Sequence, residues 1–170
     1  STSATDIVVL RGLQLNFQNN NGGIYFGSAG TLLLDRVSIG GATSSGLTFT
    51  PSGPGKLIVT DSTIATSGTG TTGAAIRVVP SGTGSAQVTL DRVKAVGNVF
   101  GIALDGSNST SGINATIRDS VAASNTQDGI IAVSAAGKAP IGVLVTNSAS
   151  INNQFGIRSI GPGVTARTDC

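Results

Sequence analysis

The sequence predicts an all-β chain wound into a right-handed parallel β-helix of six full coils and a partial seventh. Three observations carry that expectation. Gly, Ser and Thr fill 65 of 170 positions, 25 of them Gly, while Glu, His, Met and Trp are absent. Glu and Met are strong helix formers and Gly, Ser and Thr poor ones, so helices are disfavoured along the whole chain. A hydrophobic share of 39% and a mean hydropathy of +0.26, with 11% charged residues, suit a packed core and not a disordered chain. Finally, one apolar and polar pattern returns about every 27 residues, the signature of a stacked repeat.

The first element of the repeat reads VVLRGLQL, LLLDRVSI, LIVTDSTI, VTLDRVKA, ATIRDSVA and VLVTNSAS. Its last apolar residue before the polar pair is Leu10, Leu34, Val59, Leu90, Ile117 and Val145, with gaps of 24, 25, 31, 27 and 28 residues. A seventh, partial copy is expected at Ala166 in VTARTDC. Two residues earlier stand Val8, Leu32, Leu57, Val88, Ala115, Val143 and Val164. Two apolar positions around one variable residue mark a strand with one buried face.

The second element lies between these copies: GGIYF from Gly22, SGLTF from Ser45, AAIRV from Ala74, FGIAL from Phe100, DGIIA from Asp128 and FGIRS from Phe155. Its buried column is Ile24, Leu47, Ile76, Ile102, Ile130 and Ile157. A third short segment follows the polar pair, as in Val37 to Ile39 and Val93 to Ala95. Three short strands per repeat with no helix between them describe one coil of a parallel β-helix. Crossovers between parallel strands are overwhelmingly right-handed, and at about 4.8 Å per layer the rod is on the order of 30 Å long. An antiparallel sandwich would need hairpin turns and gives no reason for two apolar columns to repeat in step.

With these repeats, positions 1–170 read as a single domain that resembles the right-handed parallel β-helix proteins of the pectate-lyase-like superfamily. The resemblance lies in fold and column pattern. It implies a place among polysaccharide lyases and hydrolases, phage tailspikes, secreted adhesins and proteins without catalytic activity, and fold alone does not choose among them.

The column after the marker holds Arg11, Asp35, Thr60, Asp91, Arg118, Thr146 and Arg167, and the next holds Gly12, Arg36, Asp61, Arg92, Asp119, Asn147 and Thr168. In the second, Arg36, Asp61, Arg92 and Asp119 alternate in sign, which predicts a charge ladder pairing from layer to layer at a turn and fixing register. Asn20, Asn98, Asn125 and Asn153 precede the Gly of the second element by three or four residues. They predict a stack of turn amides, since Asn tolerates left-handed geometry and bonds along a column. The resemblance implies the same asparagine stack.

No catalytic residue, cofactor or metal site is predicted. Hydrolases of the resembled fold use neighbouring aspartates with a histidine, and the chain has no histidine. The related lyases use a base beside calcium, for which Lys94, Arg77 and Arg158 are the outward candidates, and none has an acidic cluster beside it. Asp105 and Asp128 fall at different offsets from Ile102 and Ile130, so no general acid and base pair is indicated. GTGTTG at Gly68 to Gly73 resembles a dinucleotide fingerprint in letters, but no helix of useful length follows. Asn108 and Asn114 open glycosylation sequons. Cys170 is the single cysteine, so the chain forms no internal disulfide.

The net charge of +2 is spread singly along the chain, which speaks against nucleic acid as a partner, and the apolar runs are too short to insert in a membrane. Tyr25 is expected outside, and Phe26 and Phe49 inside. Between the marker residues the strand must turn outward Val9, Leu33 and Ile58, an apolar stripe expected to meet a partner. Ser1 to Asp6 carries no capping helix, so the chain is expected to be part of a longer solenoid or to self-associate through its ends or that stripe. The expected function is a non-catalytic structural or binding solenoid, secreted or displayed on a bacterial-type surface, with polysaccharide or adhesion partners. The alternative is a polysaccharide lyase or glycoside hydrolase module with divergent or missing catalytic residues.

Overall fold

Each predicted repeat closes into one coil whose three strands join three different parallel sheets, seen in a computed structural model that describes residues 5–20, 22–28, 30–68 and 71–169, without the side chains of Asn19 and Asn20. The first sheet stacks Ile7–Arg11, Gly30–Asp35, Pro54–Thr60, Ser85–Asp91, Ile113–Arg118, Ile141–Thr146 and Val164–Asp169. The second stacks Gln14–Asn20, Ser38–Ala42, Thr63–Ala65, Lys94–Val96, Val121–Ala123 and Ala149–Ile151. The third stacks Ile24–Phe26, Leu47–Phe49, Ala74–Val78, Phe100–Asp105, Asp128–Val133 and Phe155–Ile160. Sequence neighbours never pair within a sheet; each strand pairs with the one a full coil away. The result is an all-β parallel solenoid of six turns and a seventh first-sheet strand.

Register follows the apolar columns. Leu34 pairs with Val59, Val59 with Leu90, Leu90 with Ile117 and Ile117 with Val145. In the third sheet Ile24, Leu47, Ile76, Ile102, Ile130 and Ile157 are successive partners. From Leu34 to Val145 and from Leu47 to Ile130 these columns, with Ile39, Ile64 and Ala95 of the second sheet, form one continuous buried core. Ile24 at the first coil is only partly buried, and Ile157, expected in the buried column, is 38% exposed because its coil is covered on one side only. Each large aliphatic so buried contributes about 1.5 to 3 kcal/mol, and no helix is needed to cover the sheets because each covers the others. Phe49 is fully buried and stacks on Phe26 at 5.6 Å between ring centres, but Phe26, in the first coil, is only half-buried.

The seventh copy departs from the expected alignment. Val143 pairs with Ala166 and Val145 with Thr168, so Thr168 and not Ala166 continues the marker column, and Arg167 lies beside Leu144. Asp169 follows Thr146 in the column where Arg167 was expected. A slip of two residues leaves every side chain on the same face, so alternation alone does not distinguish the two registers.

Two corners of the coil use the left-handed backbone region. After the first sheet, Gly12, Arg36, Asp61, Arg92, Asp119 and Asn147 have φ of 65°, 53°, 49°, 54°, 50° and 43°. The second corner repeats the device with Thr66, Gly97, Ser124 and Asn152 at 51°, 69°, 55° and 55°. Such φ values are uncommon for residues other than Gly, and here the turn is locked by hydrogen bonds from the next residue. Ser62, Ser120 and Ser148 each donate to the carbonyl two residues back, and each hydroxyl accepts from a backbone N–H one coil away, at Val37, Val93 and Ser120 respectively. The third connection, from third sheet to first, is longer and variable. The segment predicted as a loop lies in the second corner, where Gly68 and residues 71–73 fall outside any strand before Ala74–Val78; residues 69 and 70 lie outside the described residues, as do residues 1–4, 21, 29 and Cys170.

Candidate binding groove on the first sheet

Alternation on the first sheet turns two rows per strand outward. One row runs Thr31, Lys56, Gln87, Asn114, Gly142 and Thr165, and the other Leu33, Ile58, Thr89, Thr116, Leu144 and Arg167. From Lys56 to Arg167 these rows line an open groove of about 690 Å³ along the solenoid axis. Its floor is flat because the strands beneath it keep full register over four layers. Gly142 leaves the floor bare of a side chain and lets the Asn114 amide lie close to it: a Cβ there would stand 3.2 Å from Asn114 Oδ1. The sequence reading missed Lys56, Gln87, Asn114 and Gly142 as one surface. The signal was present, since each lies three residues before a marker and alternation turns that position outward as well.

The predicted stripe sits at the other end of the same sheet. Val9 is 50% exposed, but Leu33 and Ile58 are only half-buried flanking residues, so the continuous apolar area is small. Tyr25 is 72% exposed, as expected, on the third sheet's outer side beside Thr48.

Beside the groove, the acids are tied to arginines. Asp61 takes a two-point contact from Arg92, Nε to Oδ1 at 2.6 Å and Nη2 to Oδ2 at 2.9 Å. That bond is the main reason its carboxyl is held below the ordinary carboxylate range; Arg92 is shifted upward for the same reason. The other steps of the predicted ladder take different partners: Arg36 meets Asp35 at 3.4 Å, and Asp119 accepts from Asn147 Nδ2. Arg92 instead spends its second contact on Asp91, 2.8 Å away, and Asp91 also binds Arg118 at 2.5 Å. Asp91 is buried, in the neighbouring column, so the two columns form one network and not a single ladder. Arg11 bridges to Asp35 at 2.8 Å in the first two coils.

The amide stack is present as a continuous ladder. Asn98, Asn125 and Asn153 are linked layer by layer, and each side-chain amide also donates to a carbonyl below, at Ile64, Ala95 and Ala122. Ser67 continues it downward through its backbone N–H to Asn98 Oδ1 at 2.9 Å. The backbone of Asn20 pairs with Ala42, and its side chain lies outside the described residues. Asn125 joins the column although it stands four residues from its Gly, because the longer corner absorbs the extra residue.

The outward basic candidates are not gathered. Arg77 meets Asp105 at 3.8 Å, Arg158 meets Asp128 at 2.5 Å, and Lys94 is exposed on the second sheet between Thr63 and Val121. Asp128 is fully buried, with Oδ1 unpartnered, and Phe155 covers the Arg158 guanidinium at 4.6 Å. Among the described residues no three of His, Cys, Asp and Glu come close enough to hold a metal ion, and no helix is long and apolar enough to cross a membrane. Asn108 and Asn114 are both exposed, Asn108 on a turn and Asn114 in the groove. Comparison with family models, curated proteins and solved structures finds no match for this chain.

Proposed function

We propose that this chain is a non-catalytic binding solenoid of the pectate-lyase-like kind, secreted or displayed on a cell surface, which holds a polysaccharide strand on the outer face of its first sheet. The observation that carries this reading is the groove itself, a flat, open trough whose middle rows offer amides, hydroxyls and one aliphatic side chain and no acid. Sugar hydroxyls both donate and accept, and Gln, Asn and Thr side chains do the same. Of the carboxylates beside the groove, Asp61 is engaged by Arg92 and Asp91 by Arg92 and Arg118, which favours scaffold use over proton transfer.

Glycan-array binding at low and physiological salt tests the reading, paired with an assay of uronate-containing polysaccharides with and without calcium. Binding without turnover is the expected result. Release of unsaturated sugar ends would replace it with the lyase reading, and absence of binding to any polysaccharide would remove the carbohydrate partner.

A further inference from the structure

We propose that the groove selects an uncharged, extended, equatorially linked glycan of the cellulose or chitin type, laid along the solenoid axis with about one sugar per coil; this rests on the carbohydrate reading above. Two features of the groove carry it. The first is spacing. Gln87, Asn114 and Gly142 are direct register partners on three successive coils, as are Thr89, Thr116 and Leu144. Successive rows therefore repeat at the strand separation, about 4.8 Å. A sugar in a fully extended chain advances by nearly that distance, so successive rings lie over successive coils, the first two offering an amide with a hydroxyl and the third the bare Gly142 backbone with Leu144. A coiled glycan of the amylose type leaves the floor within a few residues and loses that register.

The second feature is where charge is absent. The three middle coils present Gln87 and Thr89, Asn114 and Thr116, then Gly142 and Leu144, all neutral. Among the residues that line the groove, cations stand at the two ends, Lys56 and Arg167, four layers or roughly 19 Å apart at the usual strand spacing, while Arg118 beside the middle coil is taken up by Asp91. An acidic chain with a carboxylate on every sugar would place its central charges over amides and a leucine, with no opposite charge to offset their desolvation. A neutral chain meets that cost nowhere.

The test is titration calorimetry and amide chemical-shift mapping of the full chain with cellohexaose, chitohexaose, maltohexaose and a hexagalacturonate. Cellohexaose or chitohexaose is expected to bind at least 5-fold more tightly than the other two, with shifts confined to residues 87–89, 114–116 and 142–144. Asn114→Ala is expected to weaken that binding about 3- to 10-fold through a lost hydrogen bond, and Gly142→Arg by more than about 10-fold through a long charged side chain laid over the groove floor. Lys94→Ala, on the second sheet, is expected to leave it unchanged. Should Gly142→Arg fail to fold, Asn114→Ala and the shift map decide alone. Tighter binding of maltohexaose or hexagalacturonate, or shifts elsewhere, would overturn the selectivity while leaving a polysaccharide partner. Binding of none of the four, nor of any arrayed glycan, would overturn both.

Discussion

Asn125 and Asn98, 27 residues apart in sequence, share one carbonyl oxygen: Asn125 Oδ1 accepts from the backbone N–H of Asn98 at 3.0 Å and from its side-chain amide at 3.1 Å. Asn125 in turn donates to Ala95 O and Asn153 Oδ1, at 3.2 and 2.9 Å. The side chain thus supplies both donor and acceptor in a buried corner, a pair of roles that only a primary amide fills at this size. Asn125→Ala leaves the Asn98 N–H without its acceptor, at about 1 to 3 kcal/mol for a buried group, and also removes the side-chain bonds to Asn98 Nδ2, Ala95 O and Asn153 Oδ1. A total near 3 kcal/mol corresponds to a fall in melting temperature on the order of 10 °C. Asn125→Asp keeps the acceptor but aims a carboxylate at Asn153 Oδ1, and is expected to be at least as damaging. Thermal melts followed by circular dichroism check both.

The Gly of the second repeat element belongs to the same corner. A Cβ on Gly101 would stand 3.0 Å from Asn125 Nδ2 and 3.2 Å from Ala122 Cβ, and would overlap the Gly129 carbonyl. One on Gly129 would overlap Ser150 Oγ and crowd Asn153. Gly156, in the last full coil, would meet only ordinary contacts, at 3.6 to 3.9 Å. Gly101→Ala and Gly129→Ala are therefore expected to cost about 1 to 3 kcal/mol by overpacking, and Gly156→Ala within about 0.5 kcal/mol of nothing. Equal effects at all three positions, measured by urea unfolding, would disprove the shared corner.

Asp61 provides a pH-dependent test. Its carboxyl is held below the ordinary value mainly by the hydrogen bond from Arg92, so folding favours the ionised form. The associated stability is complete above the unfolded carboxyl pKa of about 4, and is lost as pH falls through the lower folded pKa. Asp61→Asn should lower the melting temperature at neutral pH in low salt and less so in high salt, since the pair is exposed. At strongly acid pH the variant and the parent chain should melt together. A difference that persists or grows in acid would show that the contact is not what shifts the carboxyl.

Most of the coil was legible in the sequence because its columns are made by side-chain type. Leu34, Val59 and Leu90 are all aliphatic, and the period-2 alternation around them fixes which face is inside. Asn98, Asn125 and Asn153 were legible for the same reason. What the sequence did not determine was any feature set by two-residue slips or by competition between nearby partners. Thr168 displaced Ala166 in the marker column because both face inward. Arg92 chose Asp61 and Asp91 over Asp119 because the corner brings two columns together. Of the groove, the outward placement of Thr89, Thr116 and Leu144 was readable, whereas its second row was overlooked and the close approach of Asn114 to Gly142 depends on how the Asn114 side chain lies across the strand.

The pair Asp128 and Arg158 separates a buried charge from a useful one. Asp128 is fully buried, one oxygen bound to Arg158 Nη2 at 2.5 Å and the other without a partner, while Arg158 keeps about a third of its side chain in contact with solvent. Removing only the cation strands a carboxylate in a dry corner, the arrangement that costs about 3 to 5 kcal/mol when a buried pair is broken. Replacing the acid by its amide removes the charge that had to be desolvated and lets Arg158 turn to water, with Phe155 still beside it. Arg158→Ala should therefore destabilise by about 3 kcal/mol, and Asp128→Asn should fall within about 1 kcal/mol of the parent chain. The double variant Asp128→Asn with Arg158→Ala should recover most of the single Arg158→Ala loss. If Asp128→Asn proved as damaging as Arg158→Ala in the same denaturant series, the carboxylate would be holding the last coil through its charge, and the unpartnered oxygen would have to be receiving a bond from solvent.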